Sequence, residues 1–382
     1  MISLIFWLSL SILFFSYVIY PIIVVVIAKL FPKTRKINEN LRPTVSMIVS
    51  AYNEEKNLPE KLENFRKLNY PSDKIELVIG SDASSDKTNE MLSNLKDKNI
   101  RAFIYQNRSG KSAVLNKLVK EANGAIFIFS DANTIYHKDA IIKLVRHFGD
   151  KNIGGVCGFL KLKNPNKNIG GIGEQFYWNF ENILKSCEGK IKTVIGANGA
   201  IYALRKELFH PLPEDKVVMD DFLIPLKAVE MGYDVIYEGE ALAEETTSPD
   251  LKGEYYRKIR IGAANFNALV EIKNLLRPSR GFVSVSLWFH KVFRWFAPFL
   301  FVATFLSNLF FALRGSYQLL FLLQLIFYGS AIAGYFFIKK KNSLKIFIYP
   351  YYFCAINLAL AVGFYKFLTK TQKPAWGRID RT

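Results

Sequence analysis

The chain has 382 residues, half of them apolar and 15% aromatic, with 51 Lys and Arg against 33 Asp and Glu, a formal net charge of +18. Such apolar and aromatic content is high for a soluble protein and suggests mixed soluble and membrane parts, and three scattered Cys with no CxxC pair predict neither a disulfide framework nor a zinc site. The basic residues gather beside apolar stretches, which suits an anionic membrane surface rather than nucleic acid, and a basic groove for an anionic substrate adds to it.

Met1–Ala28 carries no charged residue, and at about 1.5 Å per residue it outreaches a hydrocarbon core of roughly 30 Å. Lys29, Lys33, Arg35 and Lys36 follow it, which places the N-terminus outside and the next domain in the cytoplasm. A cleaved signal is the alternative, but no basic residue precedes the apolar run. Ile37–Pro43 reads as a polar linker.

From Thr44 to about Tyr237, short apolar strands alternate with helices. Val45–Ser50, Ile75–Gly80, Ile100–Tyr105 and Ile126–Phe129 are the first strands. Leu58, Leu62, Phe65 and Leu68 give one intervening helix a core face, and Val114, Leu115, Leu118 and Val119 another. The alternation predicts an α/β fold, a parallel sheet with helices on both faces, whose βα loops share one edge. Four polar loops fall there: Ser50-Ala51-Tyr52-Asn53-Glu54, Ser81-Asp82-Ala83-Ser84-Ser85-Asp86-Lys87-Thr88, Gly110-Lys111-Ser112-Ala113-Val114-Leu115-Asn116 and Ser130-Asp131-Ala132-Asn133. Singly, each has a plain reading: Asn53 as a turn residue, Asp82 and Asp86 as helix caps, Lys111 as a solvated lysine, Asp131 and Asn133 as a capped turn. Gly110-Lys111-Ser112 lacks the earlier Gly of a P-loop. Their common placement at consecutive strand ends, where open sheets bind ligands, favours a site.

These four motifs, in this order, resemble the family 2 glycosyltransferases, and within them the membrane-integrated branch that includes cellulose, chitin and hyaluronan synthases. The resemblance covers Thr44 to about Phe266. It implies a GT-A fold (a Rossmann-like mixed sheet), a nucleotide-diphosphate sugar donor, most simply a UDP-sugar, and Mg2+ or Mn2+. Carried over, Ala51, Asn53, Glu54 and Asp82 line the uridine pocket, Lys111 lies near the nucleotide, and Asp131 is the first acid of the DxD metal motif. The second acid is replaced by Asn133, whose amide oxygen can still ligate a hard cation but brings no charge.

The later motifs concern the acceptor. Gly154–Leu162 reads as a strand, and Gly173-Glu174-Gln175-Phe176-Tyr177-Trp178 opens a helix whose aromatics serve either a buried face or a sugar platform. Ile195-Gly196-Ala197-Asn198-Gly199-Ala200 reads as a turn; the resemblance makes Gly196, Asn198 and Gly199 an acceptor loop. Asp220 and Asp221 open a helix, a placement favourable to the helix dipole. They resemble the Thr-Glu-Asp motif, with Met219 in place of Thr, which makes Asp221 the base and Asp220 its neighbour. Tyr256-Arg257-Lys258-Ile259-Arg260-Ile261 falls where processive synthases carry Gln-x-x-Arg-Trp. Arg260 matches the Arg that clamps the leaving diphosphate, Arg257 stands at the acceptor side in place of Gln, and Ile261 replaces the Trp that stacks on acceptor sugar. A basic helix face on lipid headgroups competes for Arg257 and Lys258.

Phe282–Trp295, with His290, Lys291 and Arg294, reads as an interfacial amphipathic helix. Trp295–Leu313, Gly315–Ile338 and Ile346–Tyr365 are free of charge and long enough to cross. Lys339–Lys341 and the tail residues Lys366, Lys370, Lys373, Arg378 and Arg381 both indicate the cytoplasm, which three crossings from a cytoplasmic domain do not allow; Pro350 offers a break that would make the last segment re-entrant or interfacial. The expected plan is a transmembrane helix at 1–31, a cytoplasmic domain at 32–281 (nucleotide-sugar half 44–150, acceptor half 151–281), an interfacial helix at 282–294, transmembrane segments at 295–366 and a basic tail at 367–382. The expected function is inverting transfer of a sugar to a glycan or lipid-linked acceptor at the plasma (inner) membrane, in polysaccharide or glycolipid synthesis. The competing reading is a non-catalytic nucleotide-sugar-binding subunit of a polysaccharide export complex.

Overall fold

The computed structural model describes residues 1–164, 169–247, 251–337 and 345–374. Lys339–Lys341 and the tail from residue 375 lie outside the described residues. An eight-stranded sheet is at the centre, in the order β3-β2-β1-β4-β7-β6-β8-β5. Its strands are β1 Val45–Ala51, β2 Ile75–Asp82, β3 Ile100–Tyr105, β4 Ile126–Asp131, β5 Ile135–Tyr136, β6 Ile153–Lys163, β7 Tyr202–Arg205 and β8 Asp234–Thr246. The first four strands are parallel, whereas β7 runs antiparallel to β4 and β6, so the sheet is mixed. Beyond β4 strands and helices still alternate, but β7 and the short β5 run antiparallel to their neighbours, so the sheet departs from the all-parallel one the alternation predicts.

The helices are α1 Ile2–Leu30, α2 Leu58–Arg66, α3 Thr88–Ser93, α4 Lys111–Glu121, α5 Ala140–Val145, α6 Ile169–Ile191, α7 Asp220–Glu230, α8 Leu251–Glu271, α9 Phe282–Trp295, α10 Ala297–Ala312, α11 Gln318–Phe337 and α12 Lys345–Leu368. The period of two along each strand divides the core into two layers. Met47, Val49 and Ile128 face the layer built on α2 and α5, while Ile48, Phe127 and Phe129 face the layer built on α4 and α7. The second layer continues into Phe266, Leu287 and Trp295, so the sheet's core merges with α8 and α9.

Two expectations change in this region. The linker Ile37–Pro43 is docked: Asn38 N donates to Arg146 O at 2.9 Å and Glu39 Oε1 accepts from Arg146 Nη1 at 2.7 Å, and just before it Lys33 Nζ and Arg35 Nη1 pair with Asp234 at 2.9 and 2.7 Å. The charged residues of α9 turn inward rather than to headgroups. His290 bridges Glu181 and Glu188 of α6, and Lys291 Nζ lies 2.7 Å from Glu181. A surface helix would leave these charges wet; here they find buried carboxylates, which is the condition for burying them at all.

By length and composition, α1, α11 and Ile346–Leu368 of α12 can each cross a membrane, and α9 with α10 forms a further candidate bent by 66°. Yet α12 runs along α8. The Gly262 and Gly363 backbones meet there, Phe266 packs its ring 4.8 Å from Phe364, and Tyr352 lies over Gly173.

Candidate functional site

The parallel register brings the ends of β1, β2 and β4 level, pairing Ser50 with Asp131 and Ala51 with Ser81. Beyond them opens a cleft of roughly 270 Å³. Glu54, Asp82, Lys111, Asp131, Asn133, Gly199, Asp220, Asp221, Arg257 and Arg260 all line it. Ala51 and Asn53 are not on its wall. Ala51 is fully buried beneath it, and Asn53, held at φ +54, turns its Oδ1 to Ser85 N at 2.8 Å. These two shape the loop.

Asp82 has a structural duty within the cleft. Its Oδ1 accepts from Ser109 N at 2.7 Å and its Oδ2 from Gly110 N at 2.8 Å, which folds the turn that starts α4. Gly110 sits at φ +89, a conformation that favours glycine. The next residue, Lys111, extends its ammonium between Asp131 (2.8 Å) and Asp220 (3.0 Å). Burial opposes that charge, but the carboxylates outweigh it and raise its pKa above the usual lysine value.

Asp221 is a strongly perturbed acid of the cleft. Burial first, then the neighbouring charge of Asp220, pushes its carboxyl up to about 6, against the pull of Lys185 and Lys111. Its Oδ1 is buried without a hydrogen-bond partner, while Oδ2 faces Gly199, where a Cβ would come within 3.0 Å. Only the absence of a side chain at 199 leaves the carboxylate this room. The backbone fixes the pair: Ala197 N donates to Asp221 O at 2.7 Å.

The rest of the predicted acceptor loop supports rather than lines the cleft. Gly196, at φ +88, packs on the Phe222 ring. Asn198 is fully buried, donating to Gly158 O at 2.7 Å and accepting from Lys185 Nζ at 2.6 Å. Of the basic residues on α8, Arg257 is tied to Glu174 and Glu254, and Lys258 lies 4.6 Å over the Tyr177 ring, so neither rests on a lipid surface. Burial and the nearby Arg257 lower Arg260 to about 10, which leaves it charged at neutral pH.

Several wall residues, among them Tyr52, Arg108, Trp178 and Glu245, were not assigned to the site by sequence reasoning. The Arg108 guanidinium stacks over the Tyr52 ring at 3.2 Å. Trp178 lies near Gly199 and Ala200 on the lining, its indole N–H buried without a partner. Glu245, near the end of β8, accepts from Asn133 Nδ2 at 3.0 Å. Trp178 belonged to an aromatic run that also suits a core, and Glu245 lies in a strand whose pairing with β6 only the fold shows.

Residues 46–209 match the profile of glycosyl transferase family 2. They form a family 2 glycosyltransferase domain. The chain is 27% identical over 253 residues to a probable glycosyltransferase of Bacillus subtilis, covering 61% of this chain and 58% of that protein. It is 25% identical over 232 residues to the poly-beta-1,6-N-acetyl-D-glucosamine synthase of Staphylococcus aureus, covering 60% and 56%. The chain thus spans a little over half the length of these relatives. A mannosyltransferase from Pyrobaculum calidifontis, solved with GDP-Man and Mn2+, superposes on 97% of this chain and 99% of its own with a TM-score of 0.73 at 21% identity. That likeness establishes the fold of the family 2 domain together with its flanking helices.

The oxygen donors of the cleft fit a hard divalent cation. Asn133 turns its nitrogen to Glu245, which leaves the amide oxygen available, and Asp131 has a partly exposed carboxylate. Among the described residues no cluster of three or more His, Cys, Asp or Glu could hold a metal. One or two protein oxygens completed by substrate phosphates and water is the usual arrangement for Mg2+.

Proposed function

We propose that the chain is an inverting glycosyltransferase that moves a sugar from a nucleoside-diphosphate donor, a UDP-sugar by its motifs, to a hydroxyl of a glycan or lipid-linked acceptor at the membrane face. The observation that carries this reading is Asp221: a half-buried carboxylate, raised to about 6, with one buried, unpartnered oxygen in the cleft that Asp131 and Lys111 also line. An ordinary helix-capping acid would be solvated or hydrogen-bonded; an unpartnered one beside a glycine is suited to take a proton from a substrate.

In this reading Asp221 removes the acceptor hydroxyl proton as that oxygen attacks the anomeric carbon. The bond from that carbon to the diphosphate oxygen breaks, and its electron pair leaves with the nucleotide. Lys111 and Arg260 place positive charge where the diphosphate gains negative charge. Asp131 and the Asn133 amide oxygen would hold Mg2+ or Mn2+, which would neutralise the diphosphate. Arg108 on Tyr52 offers a flat surface for the base. Trp178, which shares the lining with Ile261, offers an apolar face for an acceptor ring. Purified protein given Mn2+, a panel of nucleotide sugars and candidate acceptors tests the reading. Donor consumption and transfer that Asp221→Asn abolishes support it, whereas UDP and metal binding without turnover of any donor favour a non-catalytic subunit.

The packing of α12 along α8 supports a topology that removes the charge conflict. With α12 at the cytoplasmic interface, α1, α10 and α11 are the crossings. The N-terminus is then outside, while the domain, Lys339–Lys341 and the tail are all inside, as the positive-inside rule asks.

A further inference from the structure

Lys61 stands on the core face of α2 with Leu58, Leu62 and Phe65, at a position where an apolar residue would continue the stripe. It is fully buried. Its ammonium donates to Ser130 Oγ at 2.7 Å and to the Thr134 carbonyl at 2.8 Å, and lies 4.8 Å from the centre of the Tyr136 ring. One turn on, Asn64 donates to Tyr136 O and accepts from Tyr136 N, both at 2.8 Å. Helix α2 therefore grips the segment 130–136 from beneath, and the residues between the two Lys61 bonds are Asp131, Ala132 and Asn133. Holding an ammonium out of water costs several kcal/mol before its partners offset it. Burial pushes Lys61 down to about 7 against the pull of Asp131. Simple packing calls for Leu or Met here, whereas tying a polar loop to a helix calls for a long chain that ends in N–H donors.

We infer that Lys61 is a positioning residue of the donor site: by bonding Ser130 and Thr134 it fixes the turn that presents Asp131 and Asn133 to the cation and diphosphate. This rests on the proposed transferase reading, since only a ligand at Asp131 gives the turn something to present. Lys61 touches no reacting atom itself.

The test uses the full chain in detergent, with Mn2+ and UDP as probes. Free Mn2+ is followed by electron paramagnetic resonance for the wild type, Lys61→Met, Ser130→Ala and the double variant. Supporting groups behind metal ligands change metal affinity by about 10- to 100-fold, so Lys61→Met is expected to weaken UDP-dependent Mn2+ binding by about tenfold. Ser130→Ala should weaken it by a smaller factor, and should add nothing in the Lys61→Met background. In turnover, saturating Mn2+ should return kcat of Lys61→Met to near the wild-type value, with the acceptor KM unchanged. Wild-type Mn2+ affinity in Lys61→Met, additive effects of the two substitutions, or a kcat that excess metal does not restore would each overturn the inference. Should Lys61→Met fail to fold, Ser130→Ala decides alone: weaker Mn2+ binding at an unchanged Tm supports the inference, and unchanged binding overturns it. A wild type that binds no Mn2+ with UDP overturns the transferase reading, and this inference with it.

Discussion

Gly199→Ala probes the base through a contact rather than through its charge. Gly199 is not among the positive-φ glycines, so its backbone accepts alanine. The new Cβ would lie 3.0 Å from Asp221 Oδ2 and 3.3 Å from its Cγ. Ordinary contact begins near 3.4 Å, so the carboxylate must give way by about 0.4 Å. Asp221 is pinned at the first turn of α7 by the bond from Ala197 N to its carbonyl, so the side chain takes up most of the shift. On a scale of roughly a hundredfold per 1 Å of misplacement, kcat should fall about sixfold. The assay is steady-state transfer alongside UDP and Mn2+ affinity. The nucleotide site does not contain Gly199, so both affinities should stay at wild-type values. Gly196→Ala is the contrast: at φ +88 it carries a backbone penalty of about 1–3 kcal/mol, read as a lower Tm. An unchanged kcat in Gly199→Ala, or a parallel loss of UDP affinity, would refute the placement of the base.

Three further predictions follow the same geometry. Because the base acts when deprotonated, kcat should drop about tenfold per pH unit below an inflection near 6. Lys111→Met, which removes a cation that lowers the Asp221 pKa, should move that inflection upward; a pH-independent rate between 5 and 8 would contradict the assignment. Asn133→Asp sets a carboxylate against Glu245, 3.0 Å from the present amide nitrogen, so the variant should be less stable without metal and gain more in Tm on adding Mn2+ with UDP. An unchanged metal titration would remove position 133 from the ligand set. Ser316→Cys should react with an impermeant thiol reagent on intact cells, and Ser343→Cys only after permeabilisation; the reverse pattern would return α12 to a crossing.

The proposed donor half of the cleft could be drawn together from sequence because its residues follow one another at strand ends. Asp82, Lys111 and Asp131 each end or follow an apolar run, and a parallel sheet must bring such ends together. The acceptor half is assembled from α6, α7 and α8, with no local period to show which faces meet. Asn198 was placed in an acceptor loop by the resemblance alone, whereas buried bonds to Gly158 and Lys185 hold it in the structure. Ala51 and Asn53 lay in the right loop, yet a strand end has two sides and only the sheet shows which faces the cleft. Glu245 was hidden because its partner Asn133 is 112 positions away. The inward charges of α9 misled for a related reason: amphipathicity shows that a polar face exists, not that Glu181 and Glu188 will cover it.

The central claim is that Asp221 acts as the base for glycosyl transfer. The most direct measurement is transfer and UDP binding, side by side, in Asp221→Asn with Mn2+ present. Asparagine keeps the size and removes the proton acceptor, so transfer should fall by at least about a hundredfold, the lower range for loss of a general base, while UDP affinity stays within a few-fold. Retained transfer, or transfer and UDP binding lost together, would contradict the account.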